Sequence, residues 1–301
     1  MKSAIHSKKV LITGINGFTG RHLEKKLLSE GFEVYGTVLQ NPSSPQHYRC
    51  DITNQNEVDH VIKNVKPDYI IHTAAISFVG EQDSEKIYQV NVIGTENILK
   101  SLLKNKVNPQ KIIIVSSATV YGNQGTEVLD ESMCINPVNH YGCSKSAMEY
   151  ITKNYFDKLN IAIVRPFNYT GIGHAEHFLI PKIVKAYQMN KKEIELGNLD
   201  VAREFNDIRD VVNIYYALMI NDFKSDVVNI CSGRAIPLME IINLMNEIAG
   251  YSIKVSINPA FVRKNEIKRL SGDEKKILSI TNYKFKYKIR DTLEWMYKHY
   301  K

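Results

Sequence analysis

Lys9-Val10-Leu11-Ile12-Thr13-Gly14-Ile15-Asn16-Gly17-Phe18-Thr19-Gly20 is the stretch that decides the fold. Residues 9–13 read as a short buried strand, and the pattern from about 18 to 30 reads as a helix. Glycine at 14, 17 and 20 lets the backbone turn tightly and approach a phosphate closely. It also lets the helix seat against the strand. The N–H groups and dipole at the start of that helix favour an anion. Three glycines alone make only a turn. Placed between the first strand and the first helix, they read as a dinucleotide-binding loop.

The chain beyond this loop keeps the same rhythm. Strands are predicted at 33–38, 47–50, 68–73, 111–116 and 161–165, with helices at 54–65, 85–105 and 140–158 between them. Each strand run is nearly all apolar, which suits a parallel sheet covered on both faces. The fold class read from this is α/β, a doubly wound parallel (Rossmann) sheet. After Arg165 the rhythm breaks, with Pro166, Gly171, Gly173, Pro181 and Gly197 around a helix at 178–190. Helices at 207–220 and 237–249 follow, and an apolar strand returns at 227–231. Residues 1–166 are therefore read as the dinucleotide-binding domain, with a return segment near 203–235. Residues 167–301 are read mainly as a smaller, interleaved substrate-binding lobe.

Bulk properties narrow the classes. The chain has 301 residues, 44% hydrophobic and 24% charged, enough for a buried core. No apolar run approaches the roughly 18–20 residues of a membrane span. The first apolar run is too short for a signal-peptide core. The four cysteines show neither a C-x-x-C pair nor zinc-like spacing. A cytoplasmic protein with reduced thiols and no metal is expected. The formal charge of +7 is compatible with a phosphate-bearing substrate, with nucleic acid, or with a solvated lysine-rich surface.

The end of the second strand reads Val38-Leu39-Gln40-Asn41. An NAD site commonly carries an acid here for the ribose hydroxyls. Its absence leans toward NADP(H), or toward use of both NADP(H) and NAD(H). Further on, Tyr141 and Lys145 stand four apart, which on a helix puts them on one face. A tyrosine is a poor acid–base catalyst at its usual pKa of about 10. A neighbouring ammonium stabilises the phenolate and brings that value down. The strand at 111–116 runs into Ser116-Ser117-Ala118-Thr119-Val120-Tyr121-Gly122. A serine at the C-terminal end of a sheet strand can hydrogen-bond a substrate oxygen beside the tyrosine.

These motifs together resemble the extended short-chain dehydrogenase/reductases of the nucleotide-sugar epimerase, dehydratase and reductase group. The resemblance also rests on Asp51-Ile52-Thr53, His72-Thr73-Ala74-Ala75, Asn91-Val-Ile-Gly94-Thr95 and Arg165-Pro166-Phe167-Asn168, and spans nearly the whole chain. It implies that Ser117, Tyr141 and Lys145 are catalytic. It implies a cofactor held by Gly14, Asn16, Gly17, Phe18, Thr19, Gly20, Asp51, Ile52, Ala74 and Ala75, together with Tyr141 and Lys145. Asp51 and Ile52 would lie near the adenine.

Three reactions share this frame: 4-epimerisation, 4,6-dehydration and 4-keto reduction. In the dehydratases a glutamate follows the catalytic hydroxyl by two residues, often with an aspartate between. Here those positions are Ala118 and Thr119, and neither can take a carbon-bound proton. The segments 168–182 and 202–210 resemble the reductases that act on GDP-4-keto-6-deoxymannose. The resemblance assigns Asn168, Lys182, Arg203 and Arg263 to the sugar nucleotide, although Lys264 stands where the family has proline after the last arginine. The expected activity is reduction of a GDP-4-keto-6-deoxy sugar to GDP-rhamnose or GDP-6-deoxytalose. A 4-epimerase holding NAD is the alternative, ahead of a 4,6-dehydratase or a non-catalytic dinucleotide sensor. Asp207 and Asp210 are expected to cap the helix that follows them. Family analogy implies a homodimer through the helices near 85–105 and 140–158, with neither nucleic acid nor membrane as partner.

Overall fold

The computed structural model describes residues 7–77, 83–262 and 268–299. It divides into two compact units. One takes 1–122, 131–166 and 212–228; the other takes 123–130, 167–211 and 229–301. The returning stretch of the first unit is thus 212–228, and 123–130, a segment with no sequence signal, joins the second unit.

Among the described residues one sheet, in the first unit but for the last two residues of its returning strand, holds β1 (Lys9–Thr13), β2 (Glu33–Val38), β3 (His47–Arg49), β4 (Tyr69–His72), β5 (Lys111–Val115), β6 (Ile161–Pro166) and β7 (Asp226–Ile230). Their order is β7-β6-β5-β4-β1-β2-β3, and β1 through β6 pair in parallel. This is the doubly wound sheet read from the sequence. The apolar strand runs explain it. Leu11, Ile70, Ile112, Ile114, Ile161 and Ile163 pack into one cluster with Val58, Val61 and Ile62 of α2 (Gln55–Val65) and with Ile98, Leu99 and Leu102. The alternate residues Val10, Ile12, Ile71, Ile113 and Val164 are also buried, so both faces are covered. Chain order reverses between β1 and β4, where an open α/β sheet leaves a crevice at its carboxyl edge.

Two helices differ from the periodicity reading. The helix expected at 85–105 is three pieces: α3 (Ser84–Tyr88), a π-helical segment Gln89–Gly94, and α4 (Thr95–Lys104). The helix expected at 140–158 is α5 (His140–Lys153). It stops because the chain turns through Asn154 to bring Tyr155 and Phe156 against the apolar cluster.

The second unit is built on a helical core. Ile183, Val184 and Tyr187 of Leu179–Gln188 pack with Ile241, Ile242 and Met245 of Leu238–Ala249 and with Leu293 and Met296 of Ile289–His299. Short strands dress it. One four-stranded sheet has the order Ile236–Pro237, Ala202–Arg203, Arg269–Gly272, Val128–Leu129. Among the described residues no helix is long and apolar enough to cross a membrane.

Candidate active site and dinucleotide loop

The glycine loop closes the β1–β4 crevice. Gly14 has φ +69°, a conformation that favours glycine, and a Cβ there would lie 2.9 Å from the Ala74 Cα. The Gly17 N–H donates to the Gly14 carbonyl (2.9 Å), which tightens the turn. A Cβ on Gly20 would lie 2.5 Å from the carbonyl oxygens of Gly14 and Ile15. So Gly14 and Gly20 allow close packing, and Gly17 starts α1 (Phe18–Ser29) with no side-chain cap over its first turn. Asn16 and Gly17, beside that helix N-terminus, are exposed. The loop fits the pyrophosphate of a dinucleotide.

A buried hydrogen-bond chain fixes the loop walls. Thr95 Oγ1 donates to the Asn91 carbonyl (2.8 Å), so it accepts from His72 Nε2–H (2.8 Å). His72 Nδ1 then accepts from Thr13 Oγ1 (2.6 Å), and Thr13 Oγ1 accepts from the Ala74 N–H (3.2 Å). The chain needs a neutral imidazole. Burial, reinforced by the Lys145 charge, pushes His72 down to about 3. Asn91, within the π-helical segment, accepts from the Ile76 N–H (2.9 Å) and donates to Ser144 Oγ (3.0 Å). It thereby ties the loop after β4 to α5. Ile52 is buried, and a Cβ on Gly94 would lie 2.6 Å from its Cδ1. Asp51 Oδ1 accepts from the N–H and hydroxyl of Thr53 (2.9 and 2.8 Å).

Ser117, Tyr141 and Lys145 gather at the carboxyl end of β5. Ser117 caps the short 3-10 turn Ala118–Tyr121. Its Oγ accepts from the Thr119 N–H (3.2 Å) and from Thr119 Oγ1 (2.9 Å), so its own proton is left to donate. Asn139 caps α5 through the Gly142 N–H (2.8 Å), placing Tyr141 in the first turn. Gly142 lets that turn rest on the serine turn, because a Cβ there would lie 3.1 Å from the Thr119 carbonyl. Lys145 is 3% exposed, and its Nζ donates to the Val115 carbonyl (2.7 Å). Burial brings its pKa down to about 8, with Glu149 opposing. Ala118 is a buried methyl, and Thr119 spends its hydroxyl on Ser117.

Behind the site lies a buried ion pair that sequence reading passed over. Arg165, 2% exposed, grips Glu149, 0% exposed, through Nε (2.9 Å) and Nη2 (2.6 Å). Ser116 donates to the same carboxylate (2.5 Å), and the guanidinium lies 4.7 Å from the Tyr121 ring centroid. The available signal was an acid four residues after Lys145 on the same helix face.

The predicted substrate residues lie in the second unit on separate elements. Asn168 is exposed, and its carbonyl accepts from the Asn206 N–H (2.9 Å). Lys182 donates to the Glu195 carbonyl (2.9 Å) and stands 4.3 Å from the Phe261 ring centroid. Arg203 donates to the Ala202 carbonyl (2.8 Å). Arg263 lies outside the described residues. Asp207 does accept from the Arg209 N–H at the start of its helix (2.8 Å). Asp210 caps nothing on its own helix, contrary to expectation. It takes the Tyr283 hydroxyl (2.8 Å) and the Tyr287 N–H (3.0 Å), because its place inside the first turn points it at that loop.

A family model described as GDP-mannose 4,6 dehydratase matches residues 11–296. The chain belongs to this family. The GDP-6-deoxy-D-talose 4-dehydrogenase of Aggregatibacter actinomycetemcomitans is 37% identical, covering 96% of this chain and 97% of the relative. The GDP-6-deoxy-D-mannose reductase of Pseudomonas aeruginosa is 27% identical, covering 95% of each. The structure of RMD from Pseudomonas aeruginosa complexed with NADPH superposes with a TM-score of 0.87 at 25% identity, covering 97% of this chain and 98% of that one. Family membership agrees with the group read from the motifs.

Proposed function

We propose that the protein is an NAD(P)H-dependent reductase of a GDP-4-keto-6-deoxy sugar, forming GDP-6-deoxytalose or GDP-rhamnose. The observation that carries this reading is a complete Ser117–Tyr141–Lys145 set beside Ala118 and Thr119. That set can move a proton at a sugar oxygen. It has no carboxylate next to Ser117 to remove the C5 proton that dehydration requires. The two GDP-sugar relatives support the nucleotide, and Asn168, Lys182, Arg203 and Arg263 are the residues assigned to hold it.

The loop from Gly14 to Gly20, with Asp51, Ile52, Ala74 and Ala75, would hold the dinucleotide, which would supply the hydride for C4. The Tyr141 hydroxyl gives its proton to the C4 oxygen as that oxygen becomes an alkoxide. Ser117 donates a hydrogen bond to the same oxygen, oriented by the two bonds it accepts from Thr119. Lys145 holds a positive charge one helical turn from Tyr141 and stabilises its phenolate until solvent returns the proton.

The reading is tested by incubating the protein with 4-keto nucleotide sugars and each reduced cofactor. Absorbance at the reduced nicotinamide band would be followed and products identified by NMR. GDP-4-keto-6-deoxymannose should be reduced with one cofactor consumed per product. Conversion between C4 epimers without added or consumed cofactor would contradict it.

Two smaller effects follow from the same geometry. Thr119→Val removes a hydroxyl that orients Ser117, a neutral hydrogen bond worth about 0.5–1.5 kcal/mol, so kcat should fall about two- to twelvefold. KM should stay close to wild type and Thr119→Ser should restore the rate; an unchanged kcat would show that Thr119 does not orient the serine.

The second effect concerns pH. Both Tyr141 and Lys145 must be protonated to reduce, so kcat/KM should fall as pH rises through about 8. The sign for stability is opposite. Between pH 8 and 10.5 the unfolded lysine binds more protons than the buried one, so Lys145's contribution to stability grows as pH rises through that window. A kcat/KM profile flat to pH 9.5 would contradict the rate prediction.

A further inference from the structure

We infer that Arg49 and Arg21 form a 2′-phosphate subsite and make the protein selective for NADPH over NADH; this rests on the dinucleotide reading above. The first observation is the register of the sheet edge. β3 pairs with β2 so that Gly36 lies beside His47 and Val38 lies beside Arg49. Arg49 therefore stands next to the last residue of β2, where the adenosine ribose of a dinucleotide comes to lie. The residues that follow β2, Leu39, Gln40 and Asn41, are exposed and uncharged. Nothing there accepts hydrogen bonds from a 2′,3′-diol as a carboxylate does, and nothing there repels a phosphate.

The second observation fixes which face Arg49 is on. Side chains two apart on a strand share a face, so Arg49 points to the same side as His47. His47 Nε2 contacts Glu24 of α1 at 2.9 Å, so that side is the α1 side. Arg21 stands three residues before Glu24, one turn nearer the start of α1 on the same stripe. One turn of helix is about 5.4 Å, and two strand residues advance about 6.6 Å toward the carboxyl edge. α1 runs back along the sheet from that edge. Stepping from the His47–Glu24 contact toward the edge therefore arrives at Arg49 on the strand and Arg21 on the helix together. Both are exposed.

Two arginine positions thus stand at one level of the sheet edge, while Glu24, the acid on that stripe, is engaged with His47 and Asp51 Oδ1 is engaged with Thr53. A pair of cations at the ribose end of the loop suits a dianionic 2′-phosphate. Planar arginines bind such a group through paired hydrogen bonds. The preference comes from an arginine carried by β3, whereas the usual place to look is the loop directly after β2.

The test is direct binding of NADPH and NADH to wild type and to Arg49→Glu, by fluorescence titration, with competition by 2′,5′-ADP and 5′-AMP. Wild type should bind NADPH at least about tenfold more tightly than NADH, the effect of one charge-assisted pair. Arg49→Glu should lose about 10- to 100-fold of its NADPH affinity while its NADH affinity changes little. 2′,5′-ADP should compete far better than 5′-AMP against wild type only. Equal affinity of wild type for both dinucleotides overturns this inference and leaves the glycine-loop reading standing. Equal losses for both in Arg49→Glu do the same. Failure of wild type to bind either dinucleotide overturns both.

Discussion

Tyr141→Phe should lower kcat for the reduction by about 10²- to 10⁴-fold while leaving dinucleotide affinity nearly unchanged. The phenol is the group placed to protonate the C4 oxygen, and phenylalanine keeps its shape and loses its proton. The surroundings are set to remain intact. Asn139 caps α5 through the Gly142 N–H, and Ser144 donates to the Tyr141 carbonyl, so the first turn does not depend on the phenol. Lys145 is anchored on the Val115 carbonyl, separately from the tyrosine. Steady-state kinetics on the variant, with dinucleotide titration beside it, separate the two quantities. Loss of binding in parallel with rate would mean that Tyr141 holds the site together. Full turnover would remove it from the chemistry.

The second large effect is on stability. Glu149→Leu should destabilise the chain by about 3–5 kcal/mol, because it strands a buried guanidinium that now has two oxygens of one carboxylate. The pair itself is weak evidence of net stabilisation, since both ions were taken out of water to form it. The double variant Glu149→Leu with Arg165→Met should therefore recover most of the loss. Denaturant unfolding of the two variants measures this, and a double variant no more stable than the single one would contradict it. Glu149→Gln adds a functional readout. Glu149 holds the Lys145 pKa up against burial, so its neutralisation should move the alkaline limb of kcat/KM below the wild-type position.

How much was legible beforehand depends on how local each signal is. β1 and β5 announce themselves because a strand buried on both faces must be a nearly continuous apolar run. The Gly14–Gly20 loop is legible because its spacing is itself the mechanism. Tyr141 and Lys145 are four apart on one helix, so their juxtaposition needs no tertiary knowledge. The π-helical segment at Gln89–Gly94 leaves no mark in a periodicity reading, since six residues of shifted hydrogen bonding do not alter the apolar stripe. The role of Asn91 was hidden with it. Glu149 and Arg165 are 16 residues apart and meet only because α5 packs under the end of β6. In the second unit, strands of two residues show no alternation, and Val128–Leu129 pairs with Ser271–Gly272 across nearly half of the chain. Asp210 was misread for a related reason. Its partners at Tyr283 and Tyr287 are distant, whereas helix capping is the local use of an aspartate.

The central claim is that a hydride is delivered to C4 and a proton to its oxygen, with no elimination and no return of the hydride. It is tested most directly by reducing GDP-4-keto-6-deoxymannose with cofactor carrying deuterium at the transferable position. The account predicts one deuterium per product, at C4 of the hexose, with an equal amount of oxidised cofactor released. Product formed without net cofactor oxidation, or formation of a 4-keto sugar from GDP-mannose by the protein alone, would contradict it.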